Sequence, residues 1–251
     1  MEPHSNPLEH PPIFQIPGVP DPVTYTWIVM AVLVLVSLLA TRRLQMVPVG
    51  LQNLLEVVFE QVQGLIDDII GHEGRRYFPL IATLALFIFV SNLFGLVPGL
   101  IAPTADLNTT AACAIIVFLT YHYIGIKKNG VWNYLKHFAG PMPALAPLMF
   151  PIEVISHFAR PLSLSVRLFA NMFGGHMLMA ALFFLAINLF EWSWKGSGLF
   201  FLLAMPLNIL PVLLIVPILL LKLLVALIQT FIFVMLSMVY ISLALEEAEH
   251  H

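Results

Sequence analysis

Residues 199–245 read LFFLLAMPLNILPVLLIVPILLLKLLVALIQTFIFVMLSMVYISLAL, with Lys222 the single charged side chain in the run. As one helix this segment would be about 70 Å long, against roughly 30 Å of bilayer hydrocarbon. It holds no charged, polar turn at which the chain could double back. It must therefore tilt strongly, bend at Pro206, Pro211 or Pro217, or project from the membrane. Residues 145–190 have the same excess length, with Pro151 and Pro161 as places to bend and Arg167 near the middle.

The rest of the chain agrees with a bilayer environment. Of the 251 residues 60% are hydrophobic and 10% charged, with a mean hydropathy of +0.93. A soluble domain carries roughly 25% charged residues, so lipid must cover much of this apolar surface. The net charge of -3 comes with no basic cluster interleaved with aromatics, which argues against nucleic-acid binding. Cys113 is the only cysteine, which excludes an internal disulfide or a cysteine-rich metal site and leaves a small packing residue.

Further uncharged runs occupy residues 22–41, 77–105 and 107–126, each close to or above the ~20 residues that cross hydrocarbon as a helix. Residues 48–70 differ. Leu51, Leu54, Leu55, Val58, Val62, Leu65, Ile66 and Ile69 recur at three-to-four spacing, opposite Glu56, Glu60, Gln63 and Asp67. That is an amphipathic helix at an interface or packed on the bundle. The predicted fold is an all-α integral membrane protein. About five helices cross the membrane, an interfacial amphipathic helix joins them, and the last two form a long tilted hairpin. A single membrane domain, 1–251, then comprises an external segment (1–22), spans at 23–41, 77–100 and 108–126, the amphipathic helix (48–70), and the hairpin of 145–190 and 199–245.

Basic residues orient it. Arg42 and Arg43 follow the first span, Arg75 and Arg76 precede the second, and Lys127 and Lys128 follow the third. By the positive-inside rule these places are cytoplasmic, the N-terminus is outside and the acidic tail returns inside. The N-terminal segment lacks the basic region of a secretory signal, so the first apolar run reads as a retained span in a bacterial inner (plasma) membrane.

Ionisable side chains in membrane helices are costly and mark functional candidates, with arginine at a helix centre costing about 3 to more than 10 kcal/mol. Here they gather in the hairpin: Glu153, His157, Arg160, Arg167, Asn171 and His176, then Lys222, Gln229 and Tyr240. At about 100° per residue, Arg160, Asn171 and Glu153 all fall within about 40° of Arg167, while His176 lies about 180° round the helix. Lys222, Gln229 and Tyr240 share a second stripe. Asn171 and Gln229 also suit plain interhelical hydrogen bonding, and Lys222 suits snorkelling to an interface. Arg167 is flanked by Leu164, Val166, Leu168 and Phe169, with no acidic residue within two helical turns. Its counter-ion is therefore expected from another subunit.

The run Arg160-Pro-Leu-Ser-Leu-Ser-Val-Arg167-Leu-Phe-Ala-Asn171-Met-Phe-Gly-Gly-His176 closely resembles the signature of subunit a of F-type ATP synthases. Ile228–Tyr240 looks like that family's final helix, and Ser91–Gly99 and Pro103–Thr110 are similar to its earlier blocks. The resemblance covers the chain from about Arg42 onward. It implies a proton-translocating stator subunit whose tilted hairpin faces a ring of c subunits, with two aqueous half-channels and Arg167 as the family's essential arginine. It implies further that Asn171 and Gln229 position Arg167 or line its surroundings. Glu153 and Ser156 would fall toward the cytoplasmic exit, with His176, Lys222, Asp106 and Asn108 on the outside inlet, and Tyr240 on the proton path. The family often has glutamate and histidine where this chain has His176 and Lys222. A lysine near its ordinary pKa of about 10.4 is a poor relay, so Lys222 would rather hold water or orient a neighbour.

The implied partners are the c-ring carboxylates, subunit b of the peripheral stalk, the F1 sector indirectly and membrane lipid; no cofactor is implied. No Gly-x-x-x-x-Gly-Lys-Ser/Thr loop occurs, so the chain reads as an ion-channel component and not an enzyme. The alternative is an ion-coupled secondary transporter, but no internal repeat of that class is visible. A haem-bearing subunit would need paired histidines on facing helices, which His122, His157 and His176 do not suggest. A purely structural anchor leaves Arg167 unexplained.

Overall fold

The computed structural model describes residues 14, 16–97, 99–131, 134, 146–195 and 199–246; most of the expected N-terminal segment and the acidic tail beyond Glu246 lie outside the described residues. The principal elements are α1 (Asp21–Thr41), α2 (Leu51–Ile69), α3 (Phe78–Phe94), α4 (Leu107–Asn129), α5 (Ala146–Lys195) and α6 (Leu199–Glu246). Short 3-10 turns at His72–Tyr77 and Pro103–Ala105 precede α3 and α4. No strand occurs among the described residues. Five stretches are long and apolar enough to cross a membrane: Asp21–Thr41, His72–Phe94, Leu107–Lys128, Pro147–Trp194 and Leu213–Leu245. The chain is an all-α, multi-pass membrane protein.

Local chemistry explains the helix ends. The Asp106 carboxylate caps α4 by accepting from the Thr109 backbone N–H at 3.2 Å. Lys127 and Lys128 in the last turn of α4 face the negative end of its dipole, and Gly130 at φ +76° stops it in a conformation that side chains avoid. Proline stands in the first turn of both α1 and α3, where a missing N–H costs nothing. By contrast α5 runs unbroken through Pro151 and Pro161 for 50 residues, and α6 continues for 48. Each is over 70 Å long at about 1.5 Å per residue, so both outrun the bilayer as single helices.

Lipid tails are as apolar as leucine, so helices associate in a bilayer through close packing and hydrogen bonds more than through burial from water. The core follows that logic. Val62 and Ile66 of α2 meet Ile81, Ala82 and Ala85 of α3, Tyr121 and Ile124 of α4, and Val234, Met238 and Ile241 of α6. A second layer joins Leu84 and Ile88 to Cys113, Ala114, Val117, Leu164, Leu168 and Phe233. Small residues at the crossings allow the close approach. Thr110 and Ser165 hydroxyls meet at 3.3 Å between α4 and α5.

The two ends of the bundle are distinct. Lys128 donates to the Glu73 carboxylate and to the carbonyl of Leu245, both at 3.4 Å. The start of α3 and the ends of α4 and α6 therefore share one end, with the α2 corner beside them. That corner is pinned by two bonds from Arg75 to Asp67, at 2.8 and 2.7 Å, and by Ser242 donating to the carbonyl of Ile69. At the opposite end the Tyr25 hydroxyl donates to the carbonyl of Gly99 at 3.4 Å. Inside α2, Val62 and Ile66 are buried while Glu60, Gln61, Gln63 and Asp68 stay exposed. It is an amphipathic helix docked on the bundle.

Candidate functional site

Packing fixes where Arg167 points. Leu164 and Leu168 on either side of it are 2% and 0% exposed, buried against α3, α4 and α6. At helical spacing this turns Arg167 away from the core. It lies on an outward face of α5 with Ser163, Val166, Ala170, Asn171 and Gly174, all exposed in the isolated chain. Its Nη2 makes one long hydrogen bond, to Ser163 Oγ at 3.5 Å. Among the described residues no carboxylate forms an ion pair with it.

The hairpin is antiparallel and held in one register. Arg160 stands over the Tyr240 ring at 5.6 Å, Asn171 Nδ2 donates to Gln229 Oε1 at 2.7 Å, and Gly175 abuts the Lys222 stem. The step from 160 to 171 on α5 equals the step back from 240 to 229 on α6, as two straight helices require. Gln229 is 2% exposed, and its Nε2 has no hydrogen-bond partner among the described residues.

Toward the Gly99 end, Lys222 crosses to α3 and donates from Nζ to the carbonyl of Gly95 at 2.9 Å. A Cβ on Gly95 would stand 2.9 Å from His176 Nε2, and one on Gly175 would stand 3.1 Å from Lys222 Cε. These glycines let the histidine and lysine pack against backbone. His176 Nε2 is buried and without a hydrogen-bond partner among the described residues. A cleft of about 270 Å³ lies alongside, lined by Asn92, Leu96, Asn171, Gly174, Gly175 and Lys222. It is large enough for several water molecules, with Asn92, Asn171 and Lys222 as polar points on otherwise apolar walls. It extends from the Asn171 level to Lys222.

At the other end, His157 is buried between the Glu153 carboxylate, 3.4 Å from Nε2, and the Tyr121 hydroxyl, 3.3 Å from Nδ1. Ser156 is exposed nearby. Asp106 and Asn108 are joined to each other at 3.4 Å at the start of α4, where Asp106 serves as the helix cap. The structure thus gathers Asn171 with Gln229, and His176 with Lys222. It sets Glu153, Ser156 and Tyr240 well apart from that pair, since residues 153 and 176 are about 34 Å apart along α5.

Several participants went unassigned in the sequence. Asn92, 1% exposed, accepts from Thr104 Oγ1 at 2.7 Å and lies 3.4 Å from Thr230 Oγ1, tying α3, the Pro103–Ala105 turn and α6 together beside the cleft. An amide in an uncharged span is a signal that could have marked it. His122 is hydrogen-bonded to Tyr134, and its ring lies 5.3 Å from that of His157. Those two histidines do face each other across α4 and α5, contrary to the sequence reading. Their rings touch directly, which leaves no space for a haem between them.

A helical bundle with five stretches able to cross a membrane, two over-long helices and an outward intramembrane arginine defines a multi-pass membrane protein. The chain belongs to the ATP synthase A chain family, whose model matches residues 23–242. It is 49% identical over 228 residues to ATP synthase subunit a of Geobacter sulfurreducens, covering 91% of this chain and 89% of that one. ATP synthase subunit a 2 of Syntrophotalea carbinolica is 50% identical over 226 residues, covering 90% and 86%. ATP synthase subunit a 1 of Pelobacter propionicus is 49% identical over 228 residues, covering 91% and 89%.

Proposed function

We propose that this chain is the proton-translocating stator subunit of an F-type ATP synthase, and that Arg167 is the gate it presents to the rotating c-ring. The observation that carries the reading is a guanidinium near the middle of the 50-residue apolar helix α5, turned outward and without an ion pair among the described residues. Arginine keeps its charge at any physiological pH. A partner carboxylate satisfies it best, and opposite charges 4 Å apart attract by about 4 kcal/mol at an effective dielectric near 20.

That attraction favours the ionised form of a ring carboxylate beside Arg167 and promotes proton release there. Once protonated, the carboxyl loses the attraction and moves on into lipid. Because the guanidinium does not release its own proton, it bars a direct proton leak from one side to the other. The cleft from Lys222 to Asn171 supports an inlet half-channel on the outer side, and Glu153 and Ser156 support an exit on the cytoplasmic side. Asn171 and Gln229 brace the hairpin one turn from Arg167. Asp106 and Asn108 contribute at the inlet's mouth, and Tyr240 with Arg160 at the exit end. The subunit performs no nucleotide chemistry. It sits in the bacterial inner membrane with its N-terminus outside and works with the c-ring, subunit b and, through them, F1.

The test compares wild type with Arg167→Ala in membrane vesicles, measuring ATP-driven pumping and passive proton leak after assembly has been verified. Driven pumping is expected to vanish while the complex stays assembled. Near-normal pumping would make the arginine structural and overturn the mechanism.

A further inference from the structure

The corner where α1 turns into α2 holds two recesses whose linings do not include Arg167. One is a cleft of about 540 Å³ between α1, α2, α3 and α6, with Val36, Val58, Val62, Phe89, Phe231 and Val234 among its walls. Its lining is apolar apart from Ser37, Gln61 and Thr230. The other, about 310 Å³, sits at the end of α1 and the start of α2, with Arg42, Arg43, Gln45 and Gln52 on its rim. The two adjoin. Ser37 lines the first and Ala40 the second, about one turn apart on α1, and Leu54 and Leu51 stand in the same relation on α2. The separation along either helix is therefore about 3–5 Å.

Each recess asks for a different half of one ligand. Water in the apolar cleft would find few partners, whereas hydrocarbon fits it. Arg42 and Arg43 are exposed and have no ion pair among the described residues. Among the described residues no acid lines this recess; Gln52 on its rim bonds both backbone groups of Gln45 and donates to the Glu56 carboxylate at 2.7 Å. The arginines end a 21-residue apolar helix, which sets them at the depth of the headgroups. We infer that this corner binds a phospholipid with an anionic headgroup, its phosphate between Arg42 and Arg43 and an acyl chain in the cleft. Basic recesses beside membrane helices suit such headgroups, and two arginines give a preference of roughly thirtyfold over a neutral lipid. A partner's membrane helix would use the apolar cleft alone and would have no need of the basic recess. The site is independent of Arg167 and stands or falls separately from the gating mechanism.

The assembled complex, purified and reconstituted in phosphatidylcholine nanodiscs, provides the test. Phosphatidylglycerol carrying a diazirine in its acyl chain is compared with the matching phosphatidylcholine probe, and labelled peptides are read by mass spectrometry. Phosphatidylglycerol is expected to label the peptides containing Val36 and Val58 roughly thirtyfold more strongly. Arg42→Gln with Arg43→Gln should bring the ratio near one, and Arg42→Lys with Arg43→Lys should keep most of it. Val36→Trp fills the cleft and should lower labelling by both probes, which carries the test if the charge variants fail to assemble. Equal labelling of the wild type by both probes means ordinary boundary lipid and overturns the proposal. So does cleft occupation by another polypeptide, detected as cross-linking of Val36→Cys to a second subunit with no lipid label.

Discussion

Lys222 of α6 donates to the backbone carbonyl of Gly95, the residue that ends α3, at 2.9 Å, and Gly95 is also where the buried His176 ring comes to rest. An alanine at Gly95 would put its Cβ 2.9 Å from both His176 Nε2 and Ala102 Cβ. The second neighbour is a rigid side chain, so the histidine or the helix must shift. Gly95→Ala is expected to leave the complex assembled but lower driven pumping several-fold, measured in vesicles beside Lys222→Met. If Gly95→Ala pumps normally, the arrangement of His176 and Lys222 around that carbonyl has no part in conduction.

The Asn171–Gln229 bond invites a double-mutant cycle. Gln229 is buried and uses Oε1 to accept from Asn171 at 2.7 Å, so Asn171→Leu would leave the amide without that donor. Interhelical pairs in membranes couple by about 0.6 kcal/mol on average, up to about 1.7. Unfolding titrations of Asn171→Leu, Gln229→Leu and the double variant should give a coupling in that range. Additive single effects would mean that the contact adds nothing to the hairpin.

How far these contacts were legible from the chain depends on their range. Membrane helices announce themselves because each must satisfy its own backbone and cover ~20 residues with apolar side chains; the runs around Val29, Ile88 and Val117 did both. Spacing alone put Arg167 on one stripe with Arg160 and Asn171, but that this stripe turns outward shows only once Leu164 and Leu168 are buried against α3, α4 and α6. His176 on the opposite face from Arg167 was legible from the same spacing. The glycine contacts were not. Nothing local distinguishes Gly95, which packs against His176, from Gly64, which has open space around it. That difference arises only when α3, α5 and α6 are brought together. The same holds for His122 and His157, whose contact depends on the offset between α4 and α5.

Thr104 provides a third prediction. Its hydroxyl donates to Asn92 Oδ1 at 2.7 Å, and both residues are essentially inaccessible. Thr104→Val keeps the shape but leaves a buried acceptor unpaired, at a cost of about 1–3 kcal/mol. Thr104→Ser should recover most of it. Thermal unfolding of the assembled membrane sector gives the comparison, and equal stability of the valine and wild-type proteins would show that Asn92 finds another donor.

The last prediction concerns the α2 corner, where the hydrogen bond from the Arg75 guanidinium holds the Asp67 carboxyl below its usual value of 3.8. A depressed folded value means that the pair's contribution is present above the unfolded value and lost as pH falls through the folded one. Between about pH 7 and pH 5 the corner should therefore be insensitive to acid, and it should loosen only below about pH 4. A spin label at the exposed Asp68 reads this as mobility against pH. His72, with Nδ1 4.0 Å from Asp67, also faces the carboxylate, so His72→Gln is measured alongside to separate its protonation from that of Asp67. Asp67→Asn should give a label that is mobile at every pH. A wild-type transition at a pH above the carboxylate range that disappears in His72→Gln would assign the corner's acid response to the histidine, and the Arg75 bridge would not be what sets it.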